Sequence, residues 1–205
     1  MKKEKVDRRS MRAENSIKKV LEAAKALFIQ HGFKDTTISM IAKHADVGYG
    51  TAYTHFPKGK DEIFLTIIEE VIADFYVVAN TEYTVNSKEE AFTFIHRNIT
   101  RLIELSVQHK KMLAVFYESI GISAATKEMW QDISDRFIQR IAQNVVQAME
   151  KNIAHRNDFD EEIVAGVLFY TVENNLWKII LDQTVTPQGV IAHNITEVYT
   201  NGLYK

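Results

Sequence analysis

The chain has 205 residues, 46% of them apolar, with two prolines, eight glycines and a formal net charge of -2, an ordinary globular composition with room for one sizeable core or two small domains. Its lack of cysteine excludes disulfides, thiol nucleophiles and thiolate metal sites, and without a long apolar run or a leader-like N-terminus the expectation is no membrane partner and a cytoplasmic location. The small net charge conceals an asymmetry: residues 1 to 60 hold 13 Lys or Arg against 6 Asp or Glu, the remaining 145 hold 12 against 21, so a polyanion suits the first part and is repelled by the second.

Apolar periods near 3.6 run through the whole sequence, and the fold class read from them is all-α. Residues 1 to 12, with Lys2, Lys3, Lys5, Arg8, Arg9 and Arg12 and hardly an apolar side chain, read as a mobile basic arm that either lies on a polyanion or only solubilises the chain. A first helix near residues 13 to 31 carries Ile17, Val20, Leu21, Ala24, Leu27 and Phe28 on one face and ends at Gly32 as a left-handed cap. Thr37 then caps a short helix with Ile38, Ile41, Ala42 and Ala45 at core spacing, and Asp46 and Val47 form a sharp turn. A second short helix follows from Gly48. Its apolar contacts are only Ala52 and Phe56, while Tyr49, Gly50, Thr51, Tyr53, Thr54 and His55 form a face with little reason to enter a core. Such a helix is built to touch something else.

These residues, together with Leu27-Phe28, Gly32-Phe33, Thr36-Thr37 and the run from Phe56 through Pro57, Lys58, Gly59 and Lys60 to Ile63, closely resemble the DNA-binding domain of TetR-family transcriptional regulators over roughly residues 14 to 65. Asp46 stands where the family commonly has glycine, Gly48 where Ser is common, and Tyr49 where a small polar or basic residue is usual, so the resemblance does not name the operator. It implies a helix-turn-helix domain over residues 13–58 after the arm of 1–12, and a larger helical effector-binding and dimerisation domain over 59–205. Tyr49, Thr51 and Thr54 would then meet base edges at the start of the recognition helix, with Gly50 allowing close backbone approach and Gly48 among the DNA-binding residues at its cap, and Thr37, Tyr53, His55 and Lys60 would meet phosphates. Lysine in the first turn of a helix opposes the helix dipole, so Lys60 calls for a reason outside its own helix.

Beyond Gly59 a fourth helix carries Ile63, Phe64, Ile67, Val71 and Phe75, and a loop is expected near Thr81 to Asn86. Ser87 and Glu90 form a capping box for a helix reaching Gln108, followed by one from His109 to Ile120 and, after a break at Gly121 to Ala125, a long amphipathic helix from Thr126 to Asn152. Asp158 to Glu161 opens a helix near 160–182, and Thr186-Pro187 opens the last, with Thr as cap and Pro in the first turn. Phe92, His96, Met112, Phe116, Tyr117, Trp130, Phe137, Tyr170, Asn174 and Trp177, with Glu173 beside them, are the candidates for a ligand pocket, although an aromatic stripe at helical spacing is more often plain core. Arg97 and Arg101 share a helix face and suit an acidic effector or simply solvent.

The resemblance implies a ligand-responsive regulator, a repressor, that binds a palindromic or pseudopalindromic double-stranded DNA operator as a homodimer through the last two helices and is released by a small hydrophobic or amphipathic effector. Tyr170, Trp177, Tyr199 and Leu203 are the large side chains available to that interface or to an internal core. No cofactor or metal is expected: the seven histidines are dispersed, and no glycine-rich phosphate loop occurs. Two other readings stand: a DNA-binding protein with no small-molecule effector, and a helical enzyme using paired carboxylates such as Asp132 and Asp135 or the Asp158 to Glu162 run, which capping and solvation explain more simply.

Overall fold

The computed structural model describes residues 2–205, with side chains from Ser10 onward. Among them are nine helices: α1 (Lys2–Asp35), α2 (Ile38–His44), α3 (Tyr49–His55), α4 (Lys60–Ala79), α5 (Lys88–Gln108), α6 (Lys110–Ile120), α7 (Ala124–Glu150), α8 (Glu161–Ile180) and α9 (Gln188–Leu203). The chain divides into two compact units, Met1–Val71 with Ala114–Met129, and Ile72–Leu113 with Trp130–Lys205, so α4, α6 and α7 each contribute residues to both. Of the expected basic arm, the side chains of Lys2, Lys3, Lys5, Arg8 and Arg9 lie outside the described residues, and Arg12 is within α1.

In the first unit α1 buries Val20, Ala24, Leu27 and Phe28 against Ile41 of α2 and Ile63 and Phe64 of α4. Phe64 meets Phe28 and Phe33 edge-on, with ring centroids 4.9 and 5.0 Å apart, an arrangement that places ring edges against ring faces. The end of α1 departs from expectation. Gly32 has φ 77° and ψ 175°, which is outside the left-handed helical cap and in a region that only glycine enters readily, and the chain makes another helical turn to Asp35. The α2–α3 turn follows the sequence reading: the Thr37 hydroxyl accepts from the Met40 amide at 3.2 Å, and Asp46 takes a positive φ of 53°.

In the second unit α5 packs on α8 and α9 around Phe94, Ile95, Ile99, Ile103, Val172, Ile191 and Leu203. The Ser87 hydroxyl accepts from the Glu90 amide, while the Glu90 carboxylate reaches one residue further than a standard capping box, to the Asn86 amide at 2.8 Å. The loop before α5 is pinned as well as connecting: Tyr83 and Val85 are buried, Arg140 donates to the Thr81 carbonyl and Lys151 to that of Val85. Two caps differ from expectation. The Ser123 hydroxyl accepts from the Thr126 amide, so α7 starts at Ala124, and Pro187 occupies the cap of α9 in place of Thr186 because its extended ψ of 137° is not yet helical.

The C-terminus closes the second unit through Tyr204, whose hydroxyl lies 2.7 Å from that of buried Tyr83. The hydroxyl of neighbouring Tyr199 has no hydrogen-bond partner among the described residues. Burial pushes the Tyr199 and Tyr204 phenols well above their ordinary value of 10.0. Since the unfolded chain releases these protons near pH 10 and the folded chain retains them, stability falls as pH rises beyond that point. Urea titrations from pH 7 to 11 should show this loss, and Tyr199→Phe should flatten it while leaving stability at pH 7 unchanged or up to about 1 kcal/mol higher, because an unpaired buried hydroxyl is removed.

Candidate functional site

The short helix α3 is unusual in what it does not bury. Ala52 is its single buried residue, whereas Tyr49, Gly50, Thr51, Tyr53 and Thr54 are exposed and His55 is partly so. Ala52 and Phe56 fix one side to the core and leave the opposite side, 54% exposed at Tyr49, facing out. A Cβ placed at Gly50 would meet nothing within 4 Å, so a large surface can approach the backbone there. Tyr49 and Tyr53 pair edge-on with centroids 5.0 Å apart, and hydrogen bonding to Tyr53 holds the Tyr49 phenol above its ordinary value. The Thr54 hydroxyl donates to the Gly50 carbonyl at 2.8 Å, which leaves its methyl and lone pairs for outside contacts. Gly48 caps α3 without a side chain, and the Thr37 oxygen is engaged in its own cap.

Lys60, expected from sequence at a phosphate, is engaged within the chain itself. Its ammonium donates to three carbonyls, of Phe33 at 2.8 Å, Lys34 at 3.1 Å and Thr36 at 3.0 Å, and lies 4.5 Å from the centre of the Phe33 ring. An ammonium has three protons, so none is left for a phosphate while these bonds are made. Lysine at this position caps the C-terminal carbonyls of α1, where a cation also suits the helix dipole, and this explains its unfavourable place at the start of α4. The exposed lysines that flank α3 along the sequence are Lys43, in the last turn of α2, and Lys58, before α4. Their charge was visible in the sequence. Their exposure was not.

In the second unit the ligand candidates fall into separate groups. Trp130 and Phe137 of α7 meet Phe169, Tyr170 and Trp177 of α8 in a connected set, with Trp130 and Trp177 5.4 Å apart and Tyr76 of α4 stacked on Phe137 at 5.4 Å. Half-buried Glu173 lies in the same set and accepts from the Trp177 indole at 3.1 Å; burial pushes its carboxyl up, against the pull of that bond. Asn174, expected here, is exposed, because one residue further along α8 turns about 100° away from the buried side. Phe92 and His96 lie apart from this set and pack with His193 of α9, with ring centroids 5.7 to 6.4 Å apart. Met112 is buried, and Phe116 and Tyr117 belong to the first unit, Phe116 in its core beside Phe64 and Tyr117 46% exposed. Arg97 lies over Phe94, and Arg101 pairs with Glu104.

Three of the carboxylates considered for catalysis have structural partners. Asp132 pairs with Arg136, Asp158 takes both branches of the Arg156 guanidinium, and the Asp160 side chain accepts from the Ile163 amide as the cap of α8. Among the described residues no group of three or more His, Cys, Asp or Glu side chains is placed to hold a metal, and no helix is long and apolar enough to cross a membrane.

Two short helices around a tight turn, the second presenting an open polar face and flanked in sequence by lysines, define a helix-turn-helix DNA-binding protein. Residues 20–67 match the family model described as bacterial regulatory proteins, tetR family. An uncharacterised HTH-type transcriptional regulator of Bacillus subtilis (strain 168), YhgD, is 30% identical over 156 residues, covering 74% of this chain and 71% of that protein. The fold is similar to that of SmeT, solved in complex with triclosan, at a TM-score of 0.70 and 19% identity over 93% of this chain and 92% of that one. It is also similar to a TetR-like transcriptional regulator from Rhodococcus sp. RHA1, at a TM-score of 0.65 and 18% identity over 91% and 94% of the two chains. The chain belongs to the TetR family of transcriptional regulators.

Lys43→Gln and Lys58→Gln are each expected to weaken binding to all duplexes alike and to lower the slope of log affinity against log salt by about 0.9. Thr51→Ala is expected to change which sequences are preferred, at a cost of about 1–3 kcal/mol on the best site. Selection from a random duplex library followed by anisotropy titrations at several salt concentrations measures both effects.

Proposed function

We propose that the protein is a dimeric repressor whose hold on a two-fold operator is released by a small hydrophobic or amphipathic effector bound in the second unit. The observation that carries the effector reading is the set formed by Trp130, Phe137, Phe169 and Trp177, with half-buried Glu173 bonded to the Trp177 indole: broad apolar surface with one polar anchor is how small-molecule sites combine affinity with orientation. The complex of SmeT with triclosan is in keeping with such a site in a similar fold. Because α4, α6 and α7 have residues in both units, rearrangement around Trp130 on α7 or Tyr76 on α4 has a covalent route towards the DNA-binding unit. A fixed half-site spacing then turns a small change in α3 placement into lost affinity. A cytoplasmic location is in keeping with DNA as the target.

Support for a dimer through α8 and α9 comes from apolar side chains left on their surface. Ile163, Val167 and Tyr170 recur along one side of α8 at 68, 59 and 58% exposure, and Val198 of α9 is 76% exposed. Val167 and Val198 also border an apolar groove floored by Leu168, Ile195 and Tyr199. Tyr199 and Leu203, which the sequence left to either an interface or an internal core, are buried within the single chain. The interface residues are therefore their outward neighbours.

Two measurements test the proposal. Val198→Glu is expected to convert the dimer to monomer in sedimentation at micromolar concentration, because it would bury an unpaired charge at the pairing face. Hydrophobic small molecules screened by Trp fluorescence should include a binder that lowers operator affinity at least tenfold and no longer does so in Trp177→Ala; a tight binder in this set with no effect on operator affinity would leave the effector-free regulator as the better account.

A further inference from the structure

Residues 32–36, which join α1 to α2, are held by opposite charges from two helices. Glu118 of α6 accepts from the Phe33 amide through Oε2 at 3.1 Å and from the Lys34 amide through Oε1 at 3.3 Å. Lys60 of α4 donates to the carbonyls of Phe33, Lys34 and Thr36. Phe33 and Lys34 thus each have an N–H on a carboxylate and a C=O on an ammonium. The carboxylate fills the room a side chain at Gly32 would need, since a Cβ there would lie 2.8 Å from Glu118 Oε2, and the positive φ of Gly32 turns the following amides towards it. Fully buried Thr36 closes the junction by donating its hydroxyl to the Gly32 carbonyl at 2.7 Å.

The consequence reaches α3 in a few residues. Thr37, next after the clamped segment, is the cap of α2, and α2 packs on α3. Lys60 itself follows Gly59, whose amide donates to the carbonyl of Phe56 at the end of α3. Entry to and exit from the helix-turn-helix therefore meet at Lys60, and Asp61 beside it accepts from the Ser123 hydroxyl at the head of α7.

We propose that Glu118, acting with Lys60, is a positioning residue for operator binding: it sets the α1–α2 junction, and through it the placement of α3, without touching DNA. This rests on DNA binding by α3 and is independent of the effector response. The sign of the effect separates it from simple electrostatics. Glu118 is an exposed acid in a protein that binds a polyanion, so charge alone predicts tighter binding when it is neutralised, whereas the clamp predicts weaker binding.

The test uses the full-length protein and a labelled duplex selected by the wild type from a random library, with a scrambled duplex alongside. Glu118→Ala is expected to lower affinity for the selected duplex about tenfold, as loss of two charge-assisted hydrogen bonds implies, with scrambled binding and the salt slope unchanged. Exchange of the Phe33 and Lys34 amides should quicken, read by NMR. Glu118→Gln, which keeps the shape of the side chain, should show a smaller loss in the same direction and serves if the alanine variant does not fold. Lys60→Ala should also weaken selected binding with an unchanged slope. Binding by Glu118→Ala or Glu118→Gln as tight as wild type or tighter, or protection of the two amides unaltered, overturns the role of Glu118; a slope reduced by about one in Lys60→Ala makes Lys60 a phosphate ligand and overturns its share of the clamp. Failure of the wild type to select any duplex would instead count against DNA binding itself.

Discussion

The carbonyls at the end of α1 have no partners within their own helix, and a helix-turn-helix cannot be rigid if the segment that leads into it is loose. Lys60 meets this requirement by placing one ammonium among the carbonyls of Phe33, Lys34 and Thr36 while its ring-face contact with Phe33 covers the site. The position is possible because Gly59 adopts a φ of 72°, which turns the chain sharply after α3 and brings the first residue of α4 under the end of α1. Phe33 then completes the packing with Phe28 and Phe64. With that base set, α3 requires only Ala52 and Phe56 to hold it, and its remaining side chains are released for an outside partner.

The two units divide the work by charge and by surface. The excess of lysine and arginine lies in residues 1 to 60, which carry the exposed polar helix, while apolar residues are exposed along α8 and α9 of the second unit. The apolar rows of α8 sit beside a core held by Tyr83, Tyr199 and Tyr204, so outward and inward side chains of the last two helices serve different purposes on adjacent positions.

Most of the fold was legible in the sequence, and the reason is local. The caps made by Thr37, Ser87 and Asp160 each bond an amide three residues away, and the turn at Asp46 depends on the backbone preference of one residue. The open face of α3 was legible for the same reason, since a seven-residue helix with one small core contact has nowhere to hide its polar side. Where two local solutions compete, the sequence was less informative: Pro187 took the cap assigned to Thr186, and Ser123 moved the start of α7 ahead of Thr126.

By itself the sequence determined an all-α chain with a helix-turn-helix near its start and a basic end suited to DNA, because helix periodicity, capping and charge balance are properties of neighbouring residues. The tertiary structure alone decided what individual polar side chains do. Lys60 lies 27 residues from Phe33, and Glu118 lies 85 from it, so no spacing rule connects them. It likewise decided that Glu173 and not Asn174 joins the aromatic set, and that Val198 and not Tyr199 faces outward, since a single step along a helix rotates a side chain by about 100° and only the packing of neighbouring helices fixes which side is covered.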